Sequence, residues 1–487
     1  MILNRRAVMF GAYFVMIIIS SVYRITSVVW QEKSKAERTF GIVFVTHARP
    51  NFLAQSMRSF LLQKRVEEFS HVLVTCDSLE NLQAVQDVIA SVELEMARHI
   101  SIKLIRPPFT HDSRIIRPDK AVDRHIMFAV GQLFATGVDY GVIMEEDVIS
   151  SSDFVEFLLS SANLLESDPT LVCVSGFNNQ GHPRLARNKY KLLRTDLSPT
   201  LGFMLAQKDA QLILKSWPGD FHDTWDHWIR IPMDMRECLA PEIPKTKHIG
   251  VNGVHIKSNL MFDKMTISDG SWDTLAFEQA IKHVRLNDYD SRLSKLVEKA
   301  TFLQYMDLVN PAFKLESGSI YMTTYEEKRK RCKEVERRIP IFGCHRMSHR
   351  GLLEVYDYDS NITFLLIDQT KGAEWIPENL RVKPSGFSTA IAESGETCFD
   401  ACRRNRSDTQ CKPQLAFWAQ PCSNSDIFDC RGSCAPYKSS DRGSFLKTTE
   451  FITGSKYTTC MERAGFSCAD KTPYNLRKLC PCTTSHW

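Results

Sequence analysis

Three consecutive carboxylates, Glu145, Glu146 and Asp147, are the residues of this chain best suited to chemistry. They directly follow the short apolar run 142–144, and Gly141 precedes that run as a turn signal. A run of this length bounded by a turn signal predicts a buried strand. Carboxylates beyond the carboxyl end of a strand can hold a hard divalent cation, which can neutralise a diphosphate. The alternative is a solvated acidic turn, which is the commoner explanation of an isolated acidic triplet.

A second candidate site is the segment 217–230, which contains three tryptophans, three aspartates and two histidines. Tryptophan faces pack against sugar rings, and an aspartate among aromatic residues can act as a general base. A tryptophan-anchored helix with a solvated acidic side explains the same pattern equally well. A metal site built from His222, Asp223 and His227 is a further alternative, although it matches no familiar ligand spacing well.

The elements that would position these side chains alternate between strand-like and helix-like patterns from residue 41 to about residue 180. Strands are predicted at 41–46, 72–75, 142–144 and 171–175. Helices are predicted at about 53–61, after the second strand as far as about residue 97, and at 122–134. Gly137 is the expected stop of the third helix, and Asp153 with Glu156 has capping-box spacing for another. Repeated strand-then-helix units predict an α/β fold with a mostly parallel sheet and helices on both faces.

Polar residues follow three of the predicted strands at the point where each strand ends. Arg49 follows the first strand, Asp77 the second, and the acidic triplet the third. Polar groups that converge at strand ends are what a nucleotide site requires. No GxGxxG or GxxxxGK[ST] pattern follows a strand, so the sequence does not support the usual dinucleotide or P-loop sites.

The composition bounds the class of protein. The chain has 487 residues with 61 Lys plus Arg against 57 Asp plus Glu, and this near balance argues against nucleic acid as a partner. Arg5 and Arg6 precede an uncharged stretch at 7–23, and no small-residue cleavage site follows it. We interpret this stretch as an uncleaved signal anchor that places the N-terminus in the cytosol and the rest of the chain in the lumen.

Cysteine usage agrees with a lumenal location. Ten of the 15 cysteines fall between Cys398 and Cys482, a density that predicts a disulfide-stapled module in an oxidising compartment. Zinc is the competing explanation, but histidine is almost absent from this stretch. Two N-glycosylation sequons begin at Asn361 and Asn405.

Nine blocks, taken together and in order, resemble the inverting β-1,2-N-acetylglucosaminyltransferases of glycosyltransferase family 13. The resemblance covers about residues 41–282, roughly half of the chain. The blocks are Val45-Thr46-His47-Ala48-Arg49-Pro50, Asp123-Arg124-His125, Met144-Glu145-Glu146-Asp147, Ser152-Asp153-Phe154, the run from Leu171 to Asn178, Leu193-Arg194-Thr195-Asp196, Leu201-Gly202-Phe203, Trp225-Asp226-His227-Trp228, and the run from Pro241 to Thr246.

This resemblance implies a GT-A fold, a UDP-N-acetylglucosamine donor, Mn²⁺ as cofactor and a mannose-terminated glycan acceptor. It implies that Asp147 is the protein ligand of the metal and that Asp226 is the catalytic base. The other implied positions are Arg49, Asp77 and His125 at the uridine and diphosphate, Glu146 at the ribose, Glu145 near the donor sugar, Trp225 at the substrate, His255 at the loop over the diphosphate, and a Cys173–Cys238 disulfide.

The chain departs from the family pattern at three of these positions. Glu146 stands where aspartate is usual, His227 replaces the second acid after the tryptophan, and His255 replaces a serine. Retention of Asp147 and Asp226 favours an active enzyme. Two other classes remain as alternatives, namely a glycan-binding protein on a degenerate transferase scaffold and a structural protein organised by the cysteine-rich end.

The organisation predicted from these patterns has four parts. Residues 1–37 hold the cytosolic tail, anchor and short stem, 38–345 the catalytic domain, 346–395 a connecting segment, and 396–487 the cysteine-rich domain. The runs from Gly395 to Cys402 and from Leu479 to Cys482 resemble the cysteine-rich end of N-acetylglucosaminyltransferase V. This resemblance implies acceptor recognition or stabilisation, and a generic stapled cap fits equally well. A single-pass type II protein of the Golgi membrane is the expected location.

Overall fold

The structure is a computed structural model of the chain. It describes residues 38–96, 100–108, 117–196, 199–217, 224–229, 236–251, 260–326, 329–381, 387–411, 434–436, 445–450, 456–462, 472 and 477–484. The predicted membrane anchor lies outside these residues. Within the described part of the chain, no helix combines the length and the apolar character needed to cross a bilayer.

The strands follow in chain order. They are β1 (Phe40–Thr46), β2 (Phe69–Cys76), β3 (Ile102–Ile105), β4 (Tyr140–Glu145), β5 (Val148–Ser150), β6 (Leu171–Ser175), β7 (Leu192–Thr195), β8 (Phe203–Ala206), β9 (Glu237–Pro241), β10 (Thr246–His248), β11 (Thr301–Phe302), β12 (Ile320–Tyr325), β13 (Leu352–Asp357), β14 (Ile362–Asp368), β15 (Phe387–Ala392), β16 (Thr409–Cys411), β17 (Cys434–Pro436), β18 (Phe445–Glu450), β19 (Lys456–Glu462) and β20 (Arg477–Thr484).

The α-helices are interleaved with these strands. They are α1 (Pro50–Leu61), α2 (Leu82–Glu95), α3 (Pro118–Phe134), α4 (Phe154–Ser167), α5 (Gln207–Ser216), α6 (Trp225–Trp228), α7 (Leu260–Asp263), α8 (Thr274–Val284), α9 (Leu286–Lys299), α10 (Tyr305–Val309), α11 (Arg329–Glu336) and α12 (Cys398–Asn405). All four predicted strands and all three predicted helices are confirmed, with bounds shifted by a few residues.

The central sheet has eight strands in the order β3-β2-β1-β4-β8-β6-β9-β7. Strands β8 and β7 pair antiparallel with their neighbours, whereas the other six strands run in one direction. The sheet is therefore mostly parallel, as predicted, and the two antiparallel strands β7 and β8 make it a mixed sheet within an α/β fold. Strands β7 and β8 were missed because each is four residues long, too short to show a period.

Both faces of the sheet are covered, as predicted. Along β1, Ile42 and Phe44 pack under α1, α2 and α4, while Val43 and Val45 pack under α3 and α5. All of β1 is buried, which explains why it reads as a continuous apolar run. The hydrophobic core thus holds β1 between two layers of helices.

Two local predictions were wrong. Gly141 is not in a turn but inside β4, where a Cβ atom would lie 2.6 Å from the Phe134 ring, so glycine permits the close approach of α3. Asp153 does precede α4, but its side chain does not cap the helix. Instead it accepts hydrogen bonds from the Lys245 ammonium and the Ser268 hydroxyl, because a buried lysine requires a charged partner.

A strand pairing crosses the predicted boundary at residues 345/346. A second sheet, β11-β12-β14-β13, pairs β12 from the predicted catalytic domain with β14 from the predicted connecting segment. Strand β15, placed in the same segment, pairs with β20 of the C-terminal sheet. These pairings join residues far apart in sequence, and therefore local patterns could not reveal them.

A buried charge network joins the two sheets. The Arg194 side chain, which is fully buried on β7, contacts Asp168 Oδ2 at 2.8 Å and Glu237 Oε2 at 2.6 Å. Glu237 also contacts the His349 ring, whose other nitrogen lies 2.7 Å from Asp290 Oδ1. Although burial opposes it, the His349 and Arg194 charges hold the pKa of Glu237 down at about 2. The Glu237 carboxylate is therefore ionised in the folded protein at neutral pH.

Replacing Arg194 tests the contribution of this network. We expect Arg194→Met to lower the free energy of unfolding by about 3–5 kcal/mol at pH 7, because buried carboxylates lose their guanidinium partner. Folding lowers the pKa of the Glu237 carboxyl from 4.5 to about 2. Such a carboxyl stabilises the folded protein above pH 4.5, and this contribution is lost as the pH falls toward 2. The deficit of the variant should therefore shrink over that range. Denaturant unfolding at pH 7 and pH 3 measures both effects.

The matched control is Arg58→Met, which breaks the exposed Arg58–Glu95 ion pair. We expect little change there at either pH, since solvent screens the pair. An equal decrease in the free energy of unfolding in both variants would show that the buried network stabilises the fold no more than an exposed ion pair does.

The C-terminal module is stapled between α12 and β20. Disulfides join Cys398 to Cys480 and Cys402 to Cys482. Residues four apart on a helix and two apart on a strand each share a face, which lets the two bonds form side by side. Outside this module, a Cys332–Cys344 disulfide that was not predicted joins α11 to the segment that follows it.

Candidate active site

The ends of three neighbouring strands place the predicted site residues at one edge of the sheet. In the parallel register, Val45 lies opposite Glu145 and Thr46 lies opposite Cys76. The residues that follow β1, β2 and β4 therefore emerge together. This alignment brings Arg49 into contact with Glu146 and Asp147 of the acidic triplet.

Asp147 is buried and held by two basic side chains. Its Oδ2 atom lies 2.7 Å from Arg49 Nη2 and 3.3 Å from His248 Nε2. The pairing of Val148 with His248 between β5 and β10 brings this histidine to the carboxylate. Burial raises the pKa of Asp147, but the hydrogen bond and charge of His248, together with Arg49, lower it on balance. The carboxylate is thus ionised and preorganised.

Gly250 packs directly against the Asp147 carboxylate. A Cβ atom at this position would lie 2.1 Å from Asp147 Oδ2, so no larger residue fits without moving the carboxylate. The backbone amide of Ile249 donates to the Asp147 carbonyl at 2.8 Å and keeps the two segments together. His248 and Gly250 were missed in the sequence because they lie just beyond the 241–246 block.

Glu146 turns toward the loop after β1. Its carboxylate accepts hydrogen bonds from Arg49 Nε at 2.6 Å, from the His47 backbone amide at 2.9 Å and from the Thr46 hydroxyl. These contacts occupy both carboxylate oxygens and tie the ends of β1 and β4 together. The ribose contact that the resemblance implies for Glu146 stays a prediction. Three protein donors already use much of the hydrogen-bonding capacity of this carboxylate.

One buried nitrogen of the Arg49 guanidinium can make a ligand contact without losing a protein contact among the described residues. Its Nη1 atom has no hydrogen-bond partner among the described residues, whereas Nε and Nη2 bind Glu146 and Asp147. An unsatisfied buried guanidinium nitrogen is costly, and an anionic ligand would satisfy it. This position agrees with the diphosphate contact implied for Arg49.

Asp77 gathers two imidazoles beyond the end of β2. Its Oδ1 lies 2.6 Å from His47 Nδ1, and its Oδ2 lies 3.1 Å from His125 Nδ1. Burial opposes ionisation, but the two histidine hydrogen bonds lower the pKa of Asp77 far below its usual range. The structure thus brings the predicted pair Asp77 and His125 together and adds His47, which had no predicted role.

Asp226 lies on α6, close to the triplet. The Asp123 carboxylate on α3 accepts from the Trp225 backbone amide at 2.8 Å and so positions the start of α6, while the Thr224 hydroxyl donates to Asp226. Burial, followed by the nearby charges of Asp147 and Asp226, raises the pKa of Glu145 to about 8. The acids at 145, 147 and 226 therefore share one electrostatic environment.

The Trp225 ring packs inside the protein. The side chain is only 5% exposed and stacks on Phe203 in the core, with ring centroids 6.1 Å apart. The ring thus packs in the core and anchors the helix that carries Asp226, while the substrate contact implied for Trp225 stays a prediction. Periodicity could not separate these roles, because core and sugar-binding tryptophans have the same local sequence pattern.

Some predicted residues cannot be placed. His255, His222 and Asp223 lie outside the described residues, and the His227 side chain does too. Across the described ranges, no group of three or more His, Cys, Asp or Glu side chains forms a metal site. The Cys173–Cys238 disulfide implied by the resemblance is present between β6 and β9.

The donor set at Asp147 fits a hard divalent cation that shares its coordination with a substrate. Mg²⁺-like ions are usually held by one or two carboxylates plus substrate phosphates, and oxygen ligands also suit Mn²⁺. Asp147 supplies one such carboxylate beside the open nitrogen of Arg49. The residues present therefore fit a cation that binds together with a diphosphate.

Comparison with known proteins places these features in a wider group. The GNT-I family model matches residues 20–343. The alpha-1,3-mannosyl-glycoprotein 2-beta-N-acetylglucosaminyltransferase of Arabidopsis thaliana is 24% identical over 275 residues, covering 55% of this chain and 60% of that protein. The chain thus spans less than two thirds of that relative.

Solved structures match more distantly. Residues 1–349 of S. aureus TarS give a TM-score of 0.30 at 10% identity, over 53% of this chain and 79% of that one. GalNAc-T7 with UDP, GalNAc and Mn2+ gives 0.31 at 12% identity, over 54% and 51%. Similarity at this level does not bear on the fold.

Proposed function

The chain belongs to the GNT-I family, and from this premise we propose that it is an inverting β-1,2-N-acetylglucosaminyltransferase. In this proposal it moves N-acetylglucosamine from UDP-N-acetylglucosamine to the 2-hydroxyl of an α-mannose on a glycoprotein glycan. The observation that carries the proposal is the convergence of Arg49, Asp147 and Asp226 around Glu145. An anion-binding group, a metal-binding acid and a candidate base are the three parts that such a transfer requires.

The proposed reaction is a single in-line displacement. The Asp226 carboxylate takes the proton of the acceptor 2-hydroxyl, and the hydroxyl oxygen attacks the anomeric carbon of the donor. The bond from that carbon to the UDP oxygen breaks on the opposite face, giving a β linkage from an α donor. Arg49 donates to the diphosphate, whose negative charge grows as UDP leaves.

Asp147 is the residue that would hold Mn²⁺ in this site. When bound, the cation would neutralise charge on the departing diphosphate. Arg49 and His248 hold the carboxylate in place, and Gly250 leaves room for it. The elevated pKa of Glu145 describes the protein without that cation, whose charge would favour ionisation of nearby acids.

The direct test is transfer by the full-length protein from UDP-N-acetylglucosamine to mannosylated acceptors in the presence of Mn²⁺. A panel of N-glycan core mannosides and O-mannosyl peptides would also identify the acceptor class. We expect β-1,2-linked product on at least one acceptor. Mannoside binding without turnover would instead indicate a glycan-binding protein on a transferase scaffold.

The proposed location is the Golgi lumen, with residues 7–23 as a type II membrane anchor. Four disulfides in the described residues support an oxidising compartment. The C-terminal module would then serve the lumenal domain as an acceptor-recognition or stabilising unit.

A glycan on Asn361 would test this location. Asn361 is exposed at the turn between β13 and β14, with a left-handed φ of 56° and its Oδ1 bound by the Tyr356 hydroxyl at 2.5 Å. We expect a mobility shift on amidase deglycosylation of protein from eukaryotic cells. Asn361→Gln and Thr363→Ala should each remove one step of that shift, while Thr363→Ser should keep it. Absence of any shift in the wild type would contradict a lumenal location.

A further inference from the structure

A second guanidinium acts on the proposed base. Arg346 lies between α11 and β13, and its guanidinium carbon lies 5.1 Å from the centroid of the Phe342 ring. Burial lowers the pKa of Arg346 below its ordinary value, whereas the charge of Asp226 acts in the opposite direction and raises it. The two charges interact, which places Arg346 in the surroundings of the proposed reaction.

No acceptor within the described part of the chain satisfies the Arg346 guanidinium. Among the described residues it contacts the Phe342 ring, but it forms no ion pair and donates no hydrogen bond, although the residue is partly buried. Arg292 and Arg350, by contrast, both pair with carboxylates. A guanidinium presents five N–H donors in a planar fork, and partly buried donors without acceptors are costly. A ligand that brings oxygen atoms would satisfy them.

The Gln180 side chain fixes the backbone of the segment that carries Arg346. Its Nε2 donates to the carbonyls of Phe342 at 3.3 Å, Gly343 at 3.2 Å and Arg346 at 3.0 Å. Its Oε1 accepts from the Phe342 backbone amide at 2.8 Å. Gln180 is itself buried, and a disulfide ties the same segment to α11. The segment is therefore held from two sides, while the guanidinium stays available.

Gln180 also connects this segment to the edge of the central sheet where the acidic triplet lies. It belongs to the loop after β6, which runs in the same direction as β4 because both strands pair antiparallel with β8. The Asn178 side chain accepts from the Gln180 backbone amide at 2.7 Å and donates to the Glu242 carbonyl at 2.6 Å. These bonds hold the loop against the residue that follows β9. The position of Arg346 is thus set by the same sheet edge as the candidate site.

The acceptor is the substrate that has to lie beside Asp226. Arg49 and Asp147 contact each other at the ends of β1 and β4, where they would hold the diphosphate and its cation. The acceptor must bring its reacting hydroxyl to Asp226, and the neighbouring carbons of a pyranose ring also bear hydroxyls. Oxygen atoms of the acceptor must therefore lie close to the base. A guanidinium fork can bind two adjacent oxygen atoms at once, which a single ammonium does not match.

We propose that Arg346 donates hydrogen bonds to the acceptor hydroxyls next to the one that Asp226 deprotonates, an inference that rests on the proposed function. For attack by the 2-hydroxyl of a mannose, these are the 3- and 4-hydroxyls. Gln180 is a positioning residue in this arrangement, because its hydrogen bonds hold the backbone of Arg346. Arg346 would thus determine which sugars can present a hydroxyl to the base.

The test is a cycle between protein variant and acceptor. Initial rates give kcat/KM for the best mannosylated acceptor of the panel above and for its 3-deoxy and 4-deoxy forms, with wild type and Arg346→Met. We expect Arg346→Met to lower kcat/KM for the parent acceptor about 10–100-fold, the value of a hydrogen bond from a charged group. It should also lose the wild-type preference for the parent over at least one deoxy form. UDP affinity, measured by calorimetry, should stay close to that of the wild type. An unchanged preference, or a parallel loss of UDP affinity, would overturn the proposal.

A lysine variant separates acceptor contact from a purely electrostatic effect on Asp226. Arg346→Lys keeps the positive charge but lacks the planar fork, so it should recover only part of the rate and of the preference for the parent acceptor. If Arg346 served only to keep Asp226 ionised, Arg346→Lys would act like the wild type. Arg346→Met would then move the acidic limb of the pH–rate profile to higher pH without changing the preference. That pair of results would overturn the proposal.

Gln180→Met tests the positioning role, since it removes the hydrogen bonds to the Arg346 segment and nearly keeps the side-chain volume. We expect the acceptor KM to rise about three- to ten-fold with part of the preference lost, while kcat and UDP affinity change little. An unchanged acceptor KM would contradict this role. The matched control is Arg337→Met, which removes an exposed charge from the same segment and should keep wild-type kinetics. Absence of transfer by the wild type to every mannoside would instead refute the proposed function.

Discussion

Asp226→Asn should lower the transfer rate by about 10²–10⁴-fold while leaving UDP affinity close to that of the wild type. A positioned general base contributes a factor of this size, and an amide cannot take the acceptor proton. The substitution keeps the shape of the side chain, and its remaining oxygen can still accept from the Thr224 hydroxyl. Single-turnover transfer to a mannoside, together with calorimetry of UDP binding, measures the two quantities separately.

A charge-matched control is available on α2. Asp87 is exposed, and its carboxylate accepts a hydrogen bond from Gln83 one turn earlier on the same helix, so Asp87→Asn removes the same charge outside the acidic triplet. It should transfer at the wild-type rate. Turnover by Asp226→Asn within a factor of two of that rate would eliminate Asp226 as the base, whereas parallel loss of UDP binding would indicate a disturbed fold around α6.

Asp147→Ala should abolish the Mn²⁺ dependence of UDP binding. Loss of a residue that only hydrogen-bonds to a metal ligand commonly weakens metal affinity 10–100-fold. Loss of the ligand itself should therefore weaken Mn²⁺ affinity by on the order of a hundred-fold or more. Arg49 would keep its contact with Glu146, so the loop after β1 should remain in place. Titration of Mn²⁺ at fixed UDP, followed by calorimetry, gives the affinity with and without metal.

A second variant guards against a general disturbance of the site. Asp147→Asn retains an oxygen that can accept from Arg49 and His248 but lacks the charge that a hard cation prefers. We expect it to resemble Asp147→Ala in the metal titration and the wild type in thermal stability. An unchanged metal titration in both variants would refute the assignment of Asp147 as ligand.

The two predictions depend on different elements of the fold. Asp147 is placed by the end of β4 and by the pairing of β5 with β10. Asp226 is placed by α6, which Asp123 and the buried Trp225 ring hold against α3 and β8. A variant that damages one arrangement should leave the other intact, and comparison of the two sets of results therefore separates metal binding from base catalysis.

Several parts of the molecule could be predicted because their signals are local. The strands β1, β2, β4 and β6 each contain a short apolar run, and α3 shows its helical period up to the stop near Gly137, whose φ is +87°. The parallel alignment of strand ends then follows from the α/β pattern itself. Chain order and residue type were therefore enough to collect Arg49, Asp77 and the triplet at one edge.

Other parts had no local signal. Nothing near Arg194 in the sequence indicates that it would be fully buried among Asp168, Glu237 and the His349 network. The same holds for the pairing of β12 with β14, which crosses the predicted domain boundary. The role of Trp225 also depended on a neighbour, Phe203, that lies twenty-two positions earlier. Each outcome depends on a partner that only the folded chain brings near.

The sequence by itself thus determined which strands form, where they end and which polar groups meet there, since apolar runs and helical periods are properties of short segments. Only the tertiary structure decided what those groups do to one another. It committed Glu146 to the loop after β1, held two imidazoles on Asp77 and brought Asp226 into the field of Glu145. Electrostatic and hydrogen-bond energies act over a few ångströms in space, and distance along the chain does not specify that separation.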